Sequence, residues 1–297
     1  LEQATAARKT LPDKGTFVKY YGSDDELLAA GGMKTFQDGS PQLRTAFMTD
    51  PYFTTGEYKE GWVAYPWQPK KDLIKKVVDA HQAGINQIAI HGNGDAAIDD
   101  VLDAYAEIRR GMKSGEYRKV DEKDLRHIVI HCQFSREDQF DRMAKMTNVL
   151  PSFLMMHPYY LGDRHWTIYF GPERSARMSA TKDAIDRNLR FSLHNDTPVF
   201  PINGMLMLDT AVNRLSFTGR EIFTTKYNKD DKYRSVDQRI TPAQALRALT
   251  LDAAYENYEH GITGSLEVGK RADMMIVEKN PIKVKDTTKI KDIKVLQ

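Results

Sequence analysis

The 297-residue sequence contains a single cysteine, Cys132, so no disulfide can close within the chain and nothing in its thiol content demands an oxidising compartment. It also lacks any apolar run approaching the roughly 20 residues a helix needs to cross a bilayer. With a mean hydropathy of −0.56, the expectation is a soluble protein without a membrane partner, and the cytoplasm is its expected compartment. A dominant charge sign is missing too. Lys and Arg number 43 against 41 Asp and Glu, a formal charge of +2 with no basic arm or stripe, which excludes an electrostatic nucleic-acid binder. Finally there is no initiator Met: the chain opens Leu1-Glu2-Gln3-Ala4-Thr5 with no signal-peptide h-region, so a missing amino-terminal segment is expected.

What is present is a globular composition, 41% apolar, arranged as a repeating unit: a short β-branched run, a polar turn, then apolar residues at helical spacing. Asn86–His91 reads as a buried strand, Gly92–Asp95 as a turn, and Ala96–Arg110 as a helix with Ile98, Val101, Leu102, Tyr105 and Ile108 on one face. Arg126–Cys132 is a second strand, followed by a helix to about Met146 with Ser135 and Asp138 as its capping signal. Gly32–Phe36, Asn148–Leu154 and Arg190–His194 are further strands, and Thr181–Asn188 is helical. Thr241-Pro242-Ala243-Gln244 is a helix start with Thr as N-cap, Pro at the first position and Gln at N3, opening helices to about Tyr258. After Gly261 the character changes: Ala272–Val277 reads as a strand and the basic tail Lys283–Gln297 as another. Lys226–Lys232 reads as a surface loop.

The fold class expected is α/β, a (β/α)8 TIM-type barrel. Five barrel strands are counted where closure takes eight, so the barrel is expected to be incomplete, carrying strands 4 to 8 over residues 1–262, with 263–297 contributing strands of a small β-sandwich.

In such a sheet the carboxyl ends of the strands carry the chemistry, and four strands place candidate ligands there. His91 closes Ile88-Ala89-Ile90, His131 closes Ile128-Val129-Ile130, Asp196 lies just past His194, and Lys34 sits within Gly32–Phe36. Singly, each has a bland structural reading. Jointly, two imidazoles and a carboxylate suit Zn²⁺ and its neighbours.

The segments Gly32-Met33-Lys34 with Asp38-Gly39-Ser40, His91-Gly92-Asn93-Gly94-Asp95, Arg126-His127 with His131-Cys132-Gln133, Asp196-Thr197-Pro198 and Gly264–Asp273, in this order from about residue 24 to 280, resemble the amidohydrolase superfamily, specifically amidohydrolase family 3 (YtcJ-like). The resemblance implies a hydrolase acting on carbon-nitrogen bonds of a small molecule, with a divalent metal, Zn²⁺ first, as one or two ions. Lys34 then matches the strand-4 lysine, carbamylated and bridging. Burial is expected to lower its pKa so that the neutral amine captures CO₂. His91 and His131 match the ligands of strands 5 and 6, and Asp196 the strand-8 aspartate that orients water, takes its proton and passes it to the leaving amine. Two departures stand beside this. The resemblance implies His-x-His at strand 1, and none of the eight histidines forms that pair. Ile130 stands where relatives commonly have Glu, and simple alternation turns it away from the metal.

Further candidates keep two readings each. His157 is a substrate contact or a structural histidine. His194 projects to the face of Asp196 as a supporting group, or packs. Asp95 and Asn93, in the turn after His91, cap the following helix or serve the site, and Arg44, with Gln42, contacts substrate or closes a loop salt bridge. His81, His165 and His260 carry no spacing argument, and Met155 and Met156 with Tyr159 and Tyr160 form a pocket wall or core. A different class of function is a non-catalytic fragment or pseudoenzyme that binds ligand or a complementary chain. Open strand edges of an incomplete barrel predict a homo-oligomer or a sealing segment.

Overall fold

A computed structural model describes residues 32–54, 56–223 and 237–297. The opening residues, any strand upstream of Gly32 and the Lys226–Lys232 loop lie outside the described residues.

Five parallel strands form one sheet: β1 (Met33–Phe36), β2 (Ile88–Gly92), β3 (His127–His131), β4 (Val149–Leu154) and β5 (Ser192–His194). Each pairs with its neighbour in sequence, giving the spatial order β1-β2-β3-β4-β5. Helices fill the crossovers: α1 (Lys70–Gln82), α2 (Asp95–Ser114), α3 (Glu137–Lys145), α4 (Gly171–Ala176) and α5 (Thr181–Asp186). Beyond β5 come α6 (Gly204–Asn213), α7 (Pro242–Leu249) and α8 (Leu251–Glu256). Sequential order without a switch point is the progression of a βα barrel rather than of a doubly wound sheet.

The pleat divides this sheet chemically. On the helix side, Ile88, Ile90, Val129, Val149, Phe153 and Leu193 pack with Leu73 and Val77 of α1, Ile98, Val101, Leu102, Tyr105 and Ile108 of α2, and Phe140 and Met143 of α3. Full burial of each such side chain contributes about 1.5–3 kcal/mol, so this face fixes the register. The opposite face carries Phe36, His91, Ile130, Ser152 and Ser192 in successive register pairs. Thus Ile130 shares the face of His91, correcting the expectation that it turns away. Alternation fails as a guide because His131 and Cys132 both take left-handed backbone, φ 69° and 47°, and this turns the strand end.

Local starts and stops differ in instructive ways. Thr241 caps α7 as expected, accepting from the Gln244 amide at 3.3 Å while Gln244 Oε1 accepts from the Thr241 amide at 2.9 Å. For α3 the cap is Arg136, whose amide donates to Gln139 Oε1 at 3.0 Å. Ser135 instead turns back to donate to the Cys132 carbonyl. For α2 the N-cap is Gly94, not Asp95. Asp95 is the first helical residue, and its carboxylate accepts from the Thr49 amide and pairs with Arg136.

The carboxyl-terminal expectation is corrected. Ala272–Val277 is not a strand: a single antiparallel bridge joins Val277 to Val295, and the tail forms a 3-10 turn over Thr287–Asp292. The residues that would line a β-layer, Met274, Met275, Ile276 and Leu296, are more than half exposed, so no facing layer among the described residues completes the ladder.

Candidate functional site

The site is built where the imidazole-bearing face meets the carboxyl ends of the strands. His91, at the end of β2, stands with its ring 4.6 Å from that of His131 at the end of β3, edge to face. His194, ending β5, lies 5.0 Å from His131 ring to ring, and His157, following β4, lies 6.4 Å from it. Four histidines from four strand ends therefore share one patch.

Each ring is held. Asp38, in the loop after β1 and 2% exposed, accepts from His91 Nδ1 at 3.0 Å and from the amides of Asn93 (3.0 Å), Gly94 (2.7 Å) and Phe47 (3.1 Å). Three amides satisfy this carboxylate, with no lysine or arginine partner among the described residues, and its Oδ1 fixes the His91 tautomer with the proton on Nδ1. The Nε2 lone pair then accepts from Asn93 Nδ2 at 3.1 Å. His131 Nδ1 meets His194 Nε2 at 2.9 Å, and His194 Nδ1 meets Ser152 Oγ at 3.0 Å. His157 Nδ1 bonds Gln133 Oε1.

Burial keeps three of these rings, His131, His157 and His194, neutral. It pushes His131 and His157 well below the ordinary histidine range, reinforced at His131 by His194 and at His157 by His165. His194 falls to about 3 through burial first and then the Lys34 charge. Neutral imidazole is the form that donates a lone pair to a metal.

The remaining predicted residues are less convergent. Among the described residues Lys34 is exposed and β1 pairs with β2 alone; the Lys34 Nζ lies over the Phe36 ring at 5.1 Å. Asp196 follows β5 in left-handed backbone, φ 58°, half-exposed, and among the described residues its carboxylate accepts no hydrogen bond. Arg44 donates to the Thr54 carbonyl at 2.9 Å and lies 4.8 Å over the Tyr169 ring, so its contacts are with its own loop and with the segment after β4. His81 is buried and bonds the Arg118 carbonyl, and Met155 and Met156 belong to the core.

Asp38 has no role predicted from the sequence; its signal is the polar triplet following a strand. Asn93, in the turn after His91, has its Oδ1 buried with no partner among the described residues, while its Nδ2 donates to the Gly39 carbonyl and to His91. Neutral imidazoles and an orphaned buried carbonyl oxygen suit a divalent ion chemically. Yet among the described residues no three His, Cys, Asp or Glu side chains meet closely enough to coordinate one unaided.

Comparison with known proteins adds an independent finding. The N-substituted formamide deformylase of Arthrobacter pascens is 25% identical over 276 residues, covering 91% of this chain and 44% of that protein. The Bacillus subtilis (strain 168) protein YtcJ is 25% identical over 256 residues, 86% of this chain and 43% of its own. This chain thus spans less than half the length of these curated relatives. A crystal structure described as an uncharacterized metal-dependent hydrolase from Pyrococcus horikoshii superposes with a TM-score of 0.70 over 95% of this chain and 50% of that one, at 24% identity; this likeness establishes the α/β fold. A family model described as the amidohydrolase family matches residues 2–297. Taken with the strand-end motifs, that match shows that the chain belongs to the amidohydrolase family, in its YtcJ-like family-3 branch.

Proposed function

We propose that this chain carries one half of the catalytic centre of a metal-dependent hydrolase that cleaves an amide or related C–N bond of a small molecule. The observation that carries the reading is the edge-to-face contact of His91 and His131 at 4.6 Å, with the His91 tautomer fixed by a buried carboxylate. His91 and His131 are the residues that would hold a divalent ion, Zn²⁺ first, one or two in number, with Asp196, Lys34 in carbamylated form, and Asn93 Oδ1 as the oxygen donors nearest in sequence to these strand ends. When bound, such an ion supplies Lewis-acid polarisation of a carbonyl and acidifies water.

The chain's own residues do the rest. Asp38 orients His91. The half-exposed Asp196 carboxylate accepts the proton of the attacking water and returns it to the departing amine, so that amide and water become acid and amine. Phe36, whose ring lies 5.5 Å from that of His91 and 6.2 Å from that of Trp67, walls the open side. In this reading the five strands are an arc of a larger barrel, completed by a second copy or another segment.

Elemental analysis of the purified chain, and of His91→Asn and His131→Asn, tests the centre. Bound metal in the parent that falls at least tenfold in either variant is expected. A parent that takes up no Zn²⁺ and hydrolyses no N-acyl amine, even with Zn²⁺ and bicarbonate supplied, overturns the reading.

A further inference from the structure

A row of hydrogen bonds crosses the sheet from the site to the far side of β5. His131 Nδ1 meets His194 Nε2 at 2.9 Å; His194 Nδ1 meets Ser152 Oγ at 3.0 Å; Ser152 Oγ meets Ser192 Oγ at 2.7 Å; and Ser192 Oγ donates to Glu256 Oε2. Ser152 and Ser192 are register partners on β4 and β5, each 3% exposed. Glu256 is the last residue of α8. Among the described residues its carboxylate has no cation partner, and only the two serine hydroxyls hold it.

Hydrogen counting fixes the direction of this row. A hydroxyl has one proton to give. A carboxylate at Glu256 takes the Ser192 proton, and the Ser152 proton goes to Ser192 or to Glu256 itself. Ser152 Oγ then has no proton left for His194 and must accept from His194 Nδ1–H. A neutral His194 so arranged has its lone pair on Nε2, and must accept from His131 Nδ1–H. The lone pair of neutral His131 is thereby left on Nε2. The opposite polarity would spend the Ser152 proton on His194, leaving Ser192 one proton for two contacts: either the Ser152 and Ser192 oxygens, 2.7 Å apart, or Ser192 and the carboxylate would face each other with no hydrogen between them, and a buried acceptor without a donor costs about 1–3 kcal/mol.

We propose that Glu256 is a positioning residue that acts through Ser192, Ser152 and His194 to lock His131 in the Nδ1–H tautomer, presenting its Nε2 lone pair for ligation. The tautomer follows from the hydrogen-bond row alone; only its use in catalysis rests on the hydrolase reading above. His91 is fixed separately, by Asp38, so the two imidazoles are set by two unrelated carboxylates. Burial pushes the Glu256 carboxyl up to about 7, so the carboxylate form is sampled on the alkaline side of that value.

The test is ¹⁵N–¹H correlation of the histidine rings in the metal-free full chain at about pH 8.5, with His131 and His194 assigned from His131→Gln and His194→Gln. The parent is expected to give His131 a pyrrole-type Nδ1 and a pyridine-type Nε2, and His194 the same. Ser152→Ala, which removes the hydroxyl that joins His194 to both Ser192 and Glu256, and Glu256→Gln, which can donate as well as accept, are both expected to introduce the Nε2–H form of His131 while the His91 pattern stays unchanged. A parent His131 protonated on Nε2, or folded variants with the parent pattern, overturns the proposal. Should Glu256→Gln fail to fold, the parent spectrum and Ser152→Ala still decide. Because no metal is present, failure here is distinct from failure of the hydrolase reading, which metal analysis reads separately.

Discussion

At the scale of single residues, the site is organised by groups whose importance lies in what they hold. Asp38 accepts three amides and one imidazole N–H, so its replacement disturbs both the loop and His91. Asp38→Asn keeps the shape but offers one oxygen where two were used, and removal of such a supporting partner lowers metal affinity about 10- to 100-fold. Isothermal titration of Zn²⁺ into parent and variant reads this directly, and equal affinities would leave Asp38 a loop residue only. His165 presents the opposite case. It is fully buried among Phe134, Tyr169 and Phe170, and neither ring nitrogen has a partner among the described residues. Burial pushes its pKa down to about 3. The folded state thus holds His165 neutral while the unfolded chain protonates it below its ordinary value near 6.5, so its contribution to stability falls as pH drops from about 6.5 towards 3, by about 1.4 kcal/mol per unit. His165→Phe removes that slope and two unpaired nitrogens, with an expected gain of about 1–3 kcal/mol at neutral pH. Urea unfolding across the acid range measures both, and a variant less stable than the parent would point to an interaction of His165 outside the residues described.

At the scale of elements, the turn between β2 and α2 does more than connect. The sequence reads Gly92-Asn93-Gly94-Asp95 as a turn with Asp95 as cap, whereas Gly94 takes the cap and donates its amide to Asp38. A Cβ at Gly94 would fall 2.0 Å from the Phe47 carbonyl oxygen, a backbone atom that cannot step aside. Gly94→Ala is therefore expected to cost about 1–3 kcal/mol by overpacking and to loosen Asp38 from His91; a melting temperature equal to the parent's would refute the close approach. The same turn marks what sequence can and cannot disclose. The apolar runs of β2, β3 and β4 and the 3.6 spacing of α2 were legible because burial against helices imposes a pattern on every residue. The joining of His91 and His131 was legible from their strand-end positions. What escaped was set by backbone conformation and by partners remote in sequence. Register opposite His91 puts Ile130 on the imidazole face, and the left-handed His131 and Cys132 turn the strand end that follows. Among the described residues β1 pairs on one side only, and Lys34 is exposed. Asp38 reaches amides at positions 47, 93 and 94, and nothing in a local window announces that.

At the scale of the whole molecule, among the described residues β1 and β5 each pair on one side only. Phe36, Tyr65 and Trp67 are exposed near the β1 edge. Unpaired parallel edges flanked by apolar side chains invite association, so self-association, or capture of a complementary segment, is expected. Size-exclusion chromatography with light scattering over a concentration series decides, and a monodisperse monomer throughout would count against it. Among the described residues no helix is long and apolar enough to cross a membrane.

The rim of the site has one more property of practical weight. The Met48 amide donates to the Val63 carbonyl within the long β1–α1 connection, while the Phe53 and Thr54 amides donate to the Tyr169 and Ile168 carbonyls of the segment after β4. These two stretches, more than a hundred residues apart along the chain, are laced together by their backbones. Transplanting the first from a homologue would leave the second with orphaned carbonyls, and transplanting the second would leave the first with orphaned amides. Specificity in this scaffold should therefore change hands by exchanging the two loops as a matched set, and libraries that vary one alone will sample mostly misassembled rims.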